Sequence, residues 1–242
     1  MKIISLIVSL LPVLLFLIWI YKKDKYNKEP IKDLVKFYII GVMISFVAIV
    51  IEKKLVDFNV FEGIYSELYL SFLVAGTTEE FLKSVVLITV LLKDNKFNEK
   101  IDGIIYSVVL SLGFASIENI IYLFYETENL IYQVGILRSV IAIPGHIMFG
   151  IMMGYYISKA KFSDTKLEKV KDILKSIIIP IILHAIFDFI LMIGERWSII
   201  LFIVYIGLLY FNSLKKLDEY TDIARIRFFR LKRLRYNKRK KD

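Results

Sequence analysis

The sequence predicts an all-α fold: a polytopic membrane helix bundle of about seven transmembrane helices, N-terminus outside and C-terminus cytoplasmic. Two observations predict it. Of the 242 residues 57% are hydrophobic, with a mean hydropathy of +0.61, and this apolar content is gathered into long blocks instead of amphipathic stripes. The segments between the blocks alternate in Lys and Arg content, which is how a chain encodes its orientation across a membrane.

The first block, Ile3–Tyr21, has a longer apolar run than a signal-peptide core and no small-x-small site before Lys22. It is read as a retained helix. The blocks Leu34–Ile51, Leu68–Leu92, Ile101–Phe124, Ile131–Ile157, Ile173–Ile193 and Trp197–Phe211 follow, the last being short. Each suits a hydrocarbon core about 30 Å thick. Backbone in lipid must satisfy its own hydrogen bonds, so continuous apolar blocks should be helical. They lack the alternation of a membrane barrel.

Lys and Arg number five in 22–33, two in 52–67, three in 93–100, none in 125–130 and five in 158–172. The turn at 194–196 has one, and the segment after Leu214 has twelve. The positive-inside rule then gives the orientation stated above. Residues 1–214 are read as the membrane domain and 215–242 as a basic cytoplasmic tail. The tail, which also accounts for most of the formal net charge of +9, interleaves bases with apolar residues from Ile223 onward. It is expected to rest on anionic lipid and not on nucleic acid.

Several chemistries are excluded. With no Cys there are no disulfides, thiolate metal sites or cysteine nucleophiles. There is no His-Glu-x-x-His zinc motif, no clear serine nucleophile setting, and only Asp188 among aspartates lies deep in a span. What stands out instead is a set of ionisable residues inside apolar blocks: Glu79, Glu80, Glu118, Asp188 and both histidines of the chain, His146 and His184. Each costs roughly 2.5–3.5 kcal/mol to insert, so such residues mark function.

Thr77-Thr-Glu-Glu-Phe-Leu-Lys83 is the densest polar cluster. Lys83 is four residues from Glu79 and three from Glu80, so it can share a helical face with either. Glu118 and Asn119 follow the small residues Gly113, Ala115 and Ser116, which permit close helix approach. His146 follows Pro144-Gly145, a pair that loosens the local helix. His184 and Asp188 are spaced i, i+4, so the carboxylate can orient the imidazole. Arg138 lies near a helix end and is read as reaching for the interface. Elimination leaves a water activated by glutamate and histidine, with or without a metal. The constellation runs from the midplane into the outer half of the bilayer: Glu79 lies about 17 Å in from Leu68 at 1.5 Å per residue.

Taken in order, Glu-Glu-x-x-Lys at 79–83, Phe-x-x-x-Glu-Asn at 114–119, His146 and His-x-x-x-Asp at 184–188 resemble the PrsW family of bacterial intramembrane proteases. Asp24-Lys-Tyr-Asn-Lys-Glu-Pro30 is similar to that family's first loop. The resemblance covers roughly residues 1–212. It is more distantly similar to the CAAX prenyl endopeptidases. It implies a multi-pass protein of the bacterial plasma membrane that cuts a single-span partner, such as an anti-sigma factor, near its extracytoplasmic side. By the same resemblance Glu79 and Glu80 activate water and His184 supports the water or the oxyanion. Glu118 and His146 complete the catalytic set, while Lys83, Asn119 and Asp188 support it. If a zinc ion takes part, its candidate ligands are His146, His184, Glu79 and Glu118; otherwise no cofactor is expected. The alternative is a proton- or ion-coupled transporter, since buried acids and histidines also mark ion pathways. No internal repeat of the kind common in transporters is visible.

Overall fold

The computed structural model describes residues 2–125 and 130–240, and among these the secondary structure is helical throughout. Helix α1 spans Lys2–Lys23 and α2 spans Ile31–Asp57. Residues 64–91 form a continuous rod, α3, made of Ile64–Leu68, a wide-turned segment Tyr69–Thr77, the regular Thr78–Val86 and a second wide segment Leu87–Leu91. Helix α4 is Lys100–Tyr125. Helix α5, residues 131–161, joins Ile131–Leu137 through the wide segment Arg138–Ala142 to Ile143–Lys161. Helix α6 is Lys166–Met192 and α7 is Arg196–Arg239. Among the described residues, α2, α4, α5, α6 and α7 contain five helices that are long and apolar enough to cross a membrane.

The centre of the bundle is α4, whose Ile101, Ile104, Ile105, Val108, Leu110 and Leu112 are all but fully buried. Helices α1, α2, α5 and α7 pack around it, and α6 packs against α5 and the wide segment of α3. With lipid no more polar than the interior, close backbone approach and buried hydrogen bonds hold such a bundle together. At Gly103 an added Cβ would come within 2.9 Å of Gly154 O, and at Gly154 within 2.3 Å of Gly103 O. The α4–α5 crossing therefore requires both glycines.

Proline shapes α6. Pro180 lies inside the helix and has no N–H to offer Ser176 O, four residues back. The Ser84 hydroxyl of α3 donates to that carbonyl at 3.2 Å. The vacancy in one helix thus becomes a cross-link to its neighbour.

Helix α7, at 44 residues, is about 66 Å long, more than twice the thickness of the hydrocarbon core. It passes residue 214 without a break and keeps Ser213, Leu217, Tyr220 and Ala224 buried against the bundle. Lys23 Nζ pairs with Asp218 at 3.1 Å, and Arg227 Nη1 donates to Asn98 O at 2.7 Å. The start of the basic segment is therefore docked on the loops after α1 and α3.

Candidate active site

All eight residues singled out from the sequence meet at one crossing of α3, α4, α5 and α6. Thr78–Val86 carries Glu79, Glu80 and Lys83 on adjacent turns. Lys83 Nζ donates to Glu80 Oε1 at 2.7 Å and to Glu79 Oε2 at 3.0 Å, and lies 4.0 Å above the Phe114 ring. Glu80 and Lys83 are completely buried, and Glu79 is 4% exposed. The ammonium neutralises one of the two acids. The remaining charge is met by imidazole.

His184 Nδ1 lies 3.0 Å from Glu80 Oε1 and 3.9 Å from Glu79 Oε2. Its Nε2 lies 3.3 Å from Asp188 Oδ2, the i+4 partner. Carboxylates at both nitrogens let both ring N–H groups donate. Phe149 stacks on the ring, with centroids 4.7 Å apart, and fixes its plane. His146 Nδ1 accepts from Lys83 Nζ at 3.4 Å, which leaves the proton on Nε2 to donate to Glu118 Oε2 at 2.7 Å.

The wall beyond Glu118 contains a residue whose role differs from the expectation. Arg138 does not reach for the interface. Its Nη2 donates to Glu118 Oε1 at 2.7 Å, its Nε to Asn119 Oδ1 at 2.9 Å, and its guanidinium lies 3.8 Å from the Tyr122 ring. A buried carboxylate next to an imidazole needs a full positive charge, and Arg138 supplies it inward.

Two wide-turned segments adjoin these residues: Tyr69–Thr77 ends just before Glu79, and Arg138–Ala142 ends four residues before His146. Such turns rotate the following residues relative to a regular helix and are frequent at functional sites. Close packing then joins α3 to α6. An added Cβ at Gly76 would meet Ser71 O at 2.9 Å and Ala185 Cβ at 3.0 Å, so only glycine lets the helix bearing Glu79 approach the one bearing His184.

A cavity of about 870 Å³ opens on this cluster. Glu79, Glu118, Arg138, His146, His184 and Asp188 line it, whereas Glu80 and Lys83 lie behind the wall. Val56, Leu70, Leu191 and Met192 line it as well. Glu52 of α2 also lines it. Glu52 was missed because it stands one residue beyond the apolar block and reads as loop.

One donor atom each from Glu79, Glu80, His146 and His184 lie within 4.8 Å of one another. Nitrogen and oxygen donors of this kind suit zinc, and both imidazoles are braced from behind by carboxylates, as ligating histidines are. The set fits a zinc ion in the chemistry of its donors. Lys83 lies within 3.4 Å of atoms on three of the four, so an ion there would share the acids with an ammonium. Glu118 stands outside this group, on the far nitrogen of His146.

Comparison with known proteins identifies the family. The family described as PrsW family intramembrane metalloprotease matches residues 29–213. Protease PrsW of Clostridioides difficile (strain 630) is 50% identical over 230 residues, which are 95% of this chain and 96% of the relative. Protease PrsW of Oceanobacillus iheyensis is 36% identical over 215 residues, 88% of this chain and 95% of the relative. Protease PrsW of Bacillus subtilis (strain 168) is 34% identical over 187 residues, 77% of this chain and 82% of the relative. No solved structure matches the chain. The family match and these near full-length relatives place the chain in the PrsW family: it is an intramembrane protease of a multi-pass membrane protein class.

Proposed function

We propose that the protein cuts a membrane-anchored regulatory protein, such as an anti-sigma factor, near its extracytoplasmic side, with Glu79 as the base that activates water. The observation that carries this reading is the division of labour between the two adjacent glutamates. Glu79 lines the cavity, and Glu80 lies behind it, held by Lys83 and His184. Only Glu79 is placed to touch a water and a substrate.

Glu79 takes a proton from water as the oxygen bonds to the peptide carbonyl carbon. Charge develops on the carbonyl oxygen, and His184 and the Arg138 guanidinium on the same wall stabilise it electrostatically. Glu79 then returns the proton to the departing amine nitrogen as the C–N bond breaks. The products are a carboxylic acid and an amine, which become carboxylate and ammonium by proton exchange on release, and Glu79 is restored. Glu80 and Lys83 position His184 and Glu79, while Glu118 holds His146. Were zinc bound, Glu79, Glu80, His146 and His184 would hold it, and it would supply Lewis-acid polarisation of water or carbonyl.

The orientation, with about seven spans including α1 and α3 and the N-terminus outside, is part of the same proposal. Its support is the grouping of basic segments. Lys23, Asn98 and Arg227 meet at one end of the bundle, where Lys161 Nζ also donates to Leu92 O at 2.8 Å. The cavity-lining residues Val56, Leu70 and Met192 belong to the opposite ends of α2, α3 and α6. The basic face of α7 beyond residue 225 then lies at the cytoplasmic surface, where anionic lipid is the fitting partner.

The test is cleavage of a single-span substrate by purified protein in nanodiscs, with the cut mapped by mass spectrometry. The proposal expects one cut on the extracytoplasmic side, lost in Glu80→Ala and in His184→Ala. Full activity in both variants, or a cut on the cytoplasmic side, contradicts it.

A further inference from the structure

The acids on the cavity wall are not equally provided for. Glu79 has Lys83, Glu118 has Arg138 and His146, and Asp188 has His184. Glu52, the fourth acid on the wall, has no ion pair among the described residues, and its Oε1 is buried without a hydrogen-bond partner. The charged groups that act on it, Glu79, Glu118, Lys83 and His184, each have closer partners of their own. A buried carboxylate oxygen without a partner is costly, so its persistence on a substrate-binding wall calls for a partner that arrives with the substrate.

The chemistry of the reaction supplies one. A membrane-spanning substrate enters as a helix with its N–H groups bonded to its own carbonyls. To expose a peptide carbonyl to Glu79, the segment must unwind, and every unwound residue frees an N–H. In a cavity walled by Ile49, Val74, Ile141, Phe187 and Leu191, free N–H groups need acceptors. The other three acids on the wall hold cations or imidazoles.

We propose that Glu52 is a substrate-positioning residue whose carboxylate accepts a hydrogen bond from a backbone N–H of the unwound substrate segment. This inference rests on the protease reading of the same cavity. It assigns Glu52 no proton transfer: it holds the segment while Glu79 performs the chemistry.

The test uses a synthetic single-span peptide with a fluorophore and quencher flanking its extracytoplasmic membrane boundary, and a series in which single amides near the cut are replaced by esters. Each ester deletes one N–H. Proteins are reconstituted in nanodiscs and compared for KM and kcat. Glu52→Ala is expected to raise KM about tenfold, one charge-assisted hydrogen bond, with kcat within about twofold. Glu52→Gln, whose amide oxygen still accepts, keeps KM within about threefold. One ester position raises KM about tenfold for the unaltered protein and has no such effect in Glu52→Ala. Unchanged KM in Glu52→Ala, a loss confined to kcat, or ester effects that persist in Glu52→Ala overturns the inference. So does a Glu52→Gln variant as impaired as Glu52→Ala together with loss of a preference for Lys or Arg near the cut, which identifies a charge-recognition site instead. Absence of cleavage by the unaltered protein overturns the protease-substrate reading itself, and the inference with it.

Discussion

Gly76 of α3 faces Ala185 of α6 so closely that a Cβ on the glycine would stand 3.0 Å from Ala185 Cβ and 3.1 Å from its backbone nitrogen. This contact lies next to the bond between Glu80 and His184. Gly76→Val is predicted to push α3 from α6 and to reduce cleavage at least about a hundredfold, since misplacement of about 1 Å costs that much. Thermal unfolding of the variant in detergent should show a folded protein. Activity within twofold of the unaltered protein would show that the crossing does not set the geometry.

The Lys83 ammonium is fully buried and shared between Glu79 and Glu80. Removing it leaves two adjacent buried acids with only His184 to compensate them. Lys83→Met is predicted to destabilise the protein by about 3–5 kcal/mol, and a Lys83→Met/Glu80→Gln double variant by clearly less than the sum of the singles. Thermal or denaturant unfolding of the four proteins measures the coupling.

Ser84 and Pro180 form a second coupled pair. Ser84→Ala deletes the donor to Ser176 O and should cost about 1–2 kcal/mol, because that carbonyl has no intrahelical partner. In a Pro180→Ala background the restored N–H bonds Ser176 O, so the cost of Ser84→Ala should fall to about half or less. Equal costs in both backgrounds would remove the explanation offered for the cross-link.

Asp24, in the loop between α1 and α2, is buried, and burial pushes its carboxyl from the usual 3.8 up to about 6, with the Glu99 charge adding to the rise and the Glu29 N–H bond opposing it. The folded state therefore holds the proton more tightly than the unfolded one. This contribution to stability is fully present below about pH 4 and is lost as pH rises through about 6. Asp24→Asn is predicted to flatten the pH dependence of the unfolding temperature between pH 4 and pH 6, measured against the unaltered protein.

The helices and the centre of the site could be read from the chain because lipid leaves few alternatives. Apolar blocks must be helical, and Glu79, Glu80, Glu118, His146, His184 and Asp188 are costly enough there to identify themselves. Arg138 was not legible in the same way. An arginine near a helix end can snorkel outward or turn inward, and only the position of Glu118 across the cavity decides between them. Glu52 escaped because composition ends the second block at Ile51, while the helix itself continues to Asp57. The wide turns at Tyr69–Thr77 and Arg138–Ala142 have no compositional signature, since they shift hydrogen bonds and not residue types. The continuity of α7 past residue 214 was hidden by its charge, which does not mark the end of the helix.

The most direct test of the account is cleavage of a single-span substrate in nanodiscs by Glu79→Gln beside Glu80→Gln, both first shown to fold. Glutamine keeps the shape of each side chain and removes its capacity as a base. The account predicts that Glu79→Gln slows kcat by about a thousandfold, within the 10²–10⁴ expected for loss of a general base. It predicts a smaller loss for Glu80→Gln, whose amide still contacts Lys83 and His184. Near-normal kcat in Glu79→Gln, with Glu80→Gln inactive, would contradict it and exchange the roles of the two residues.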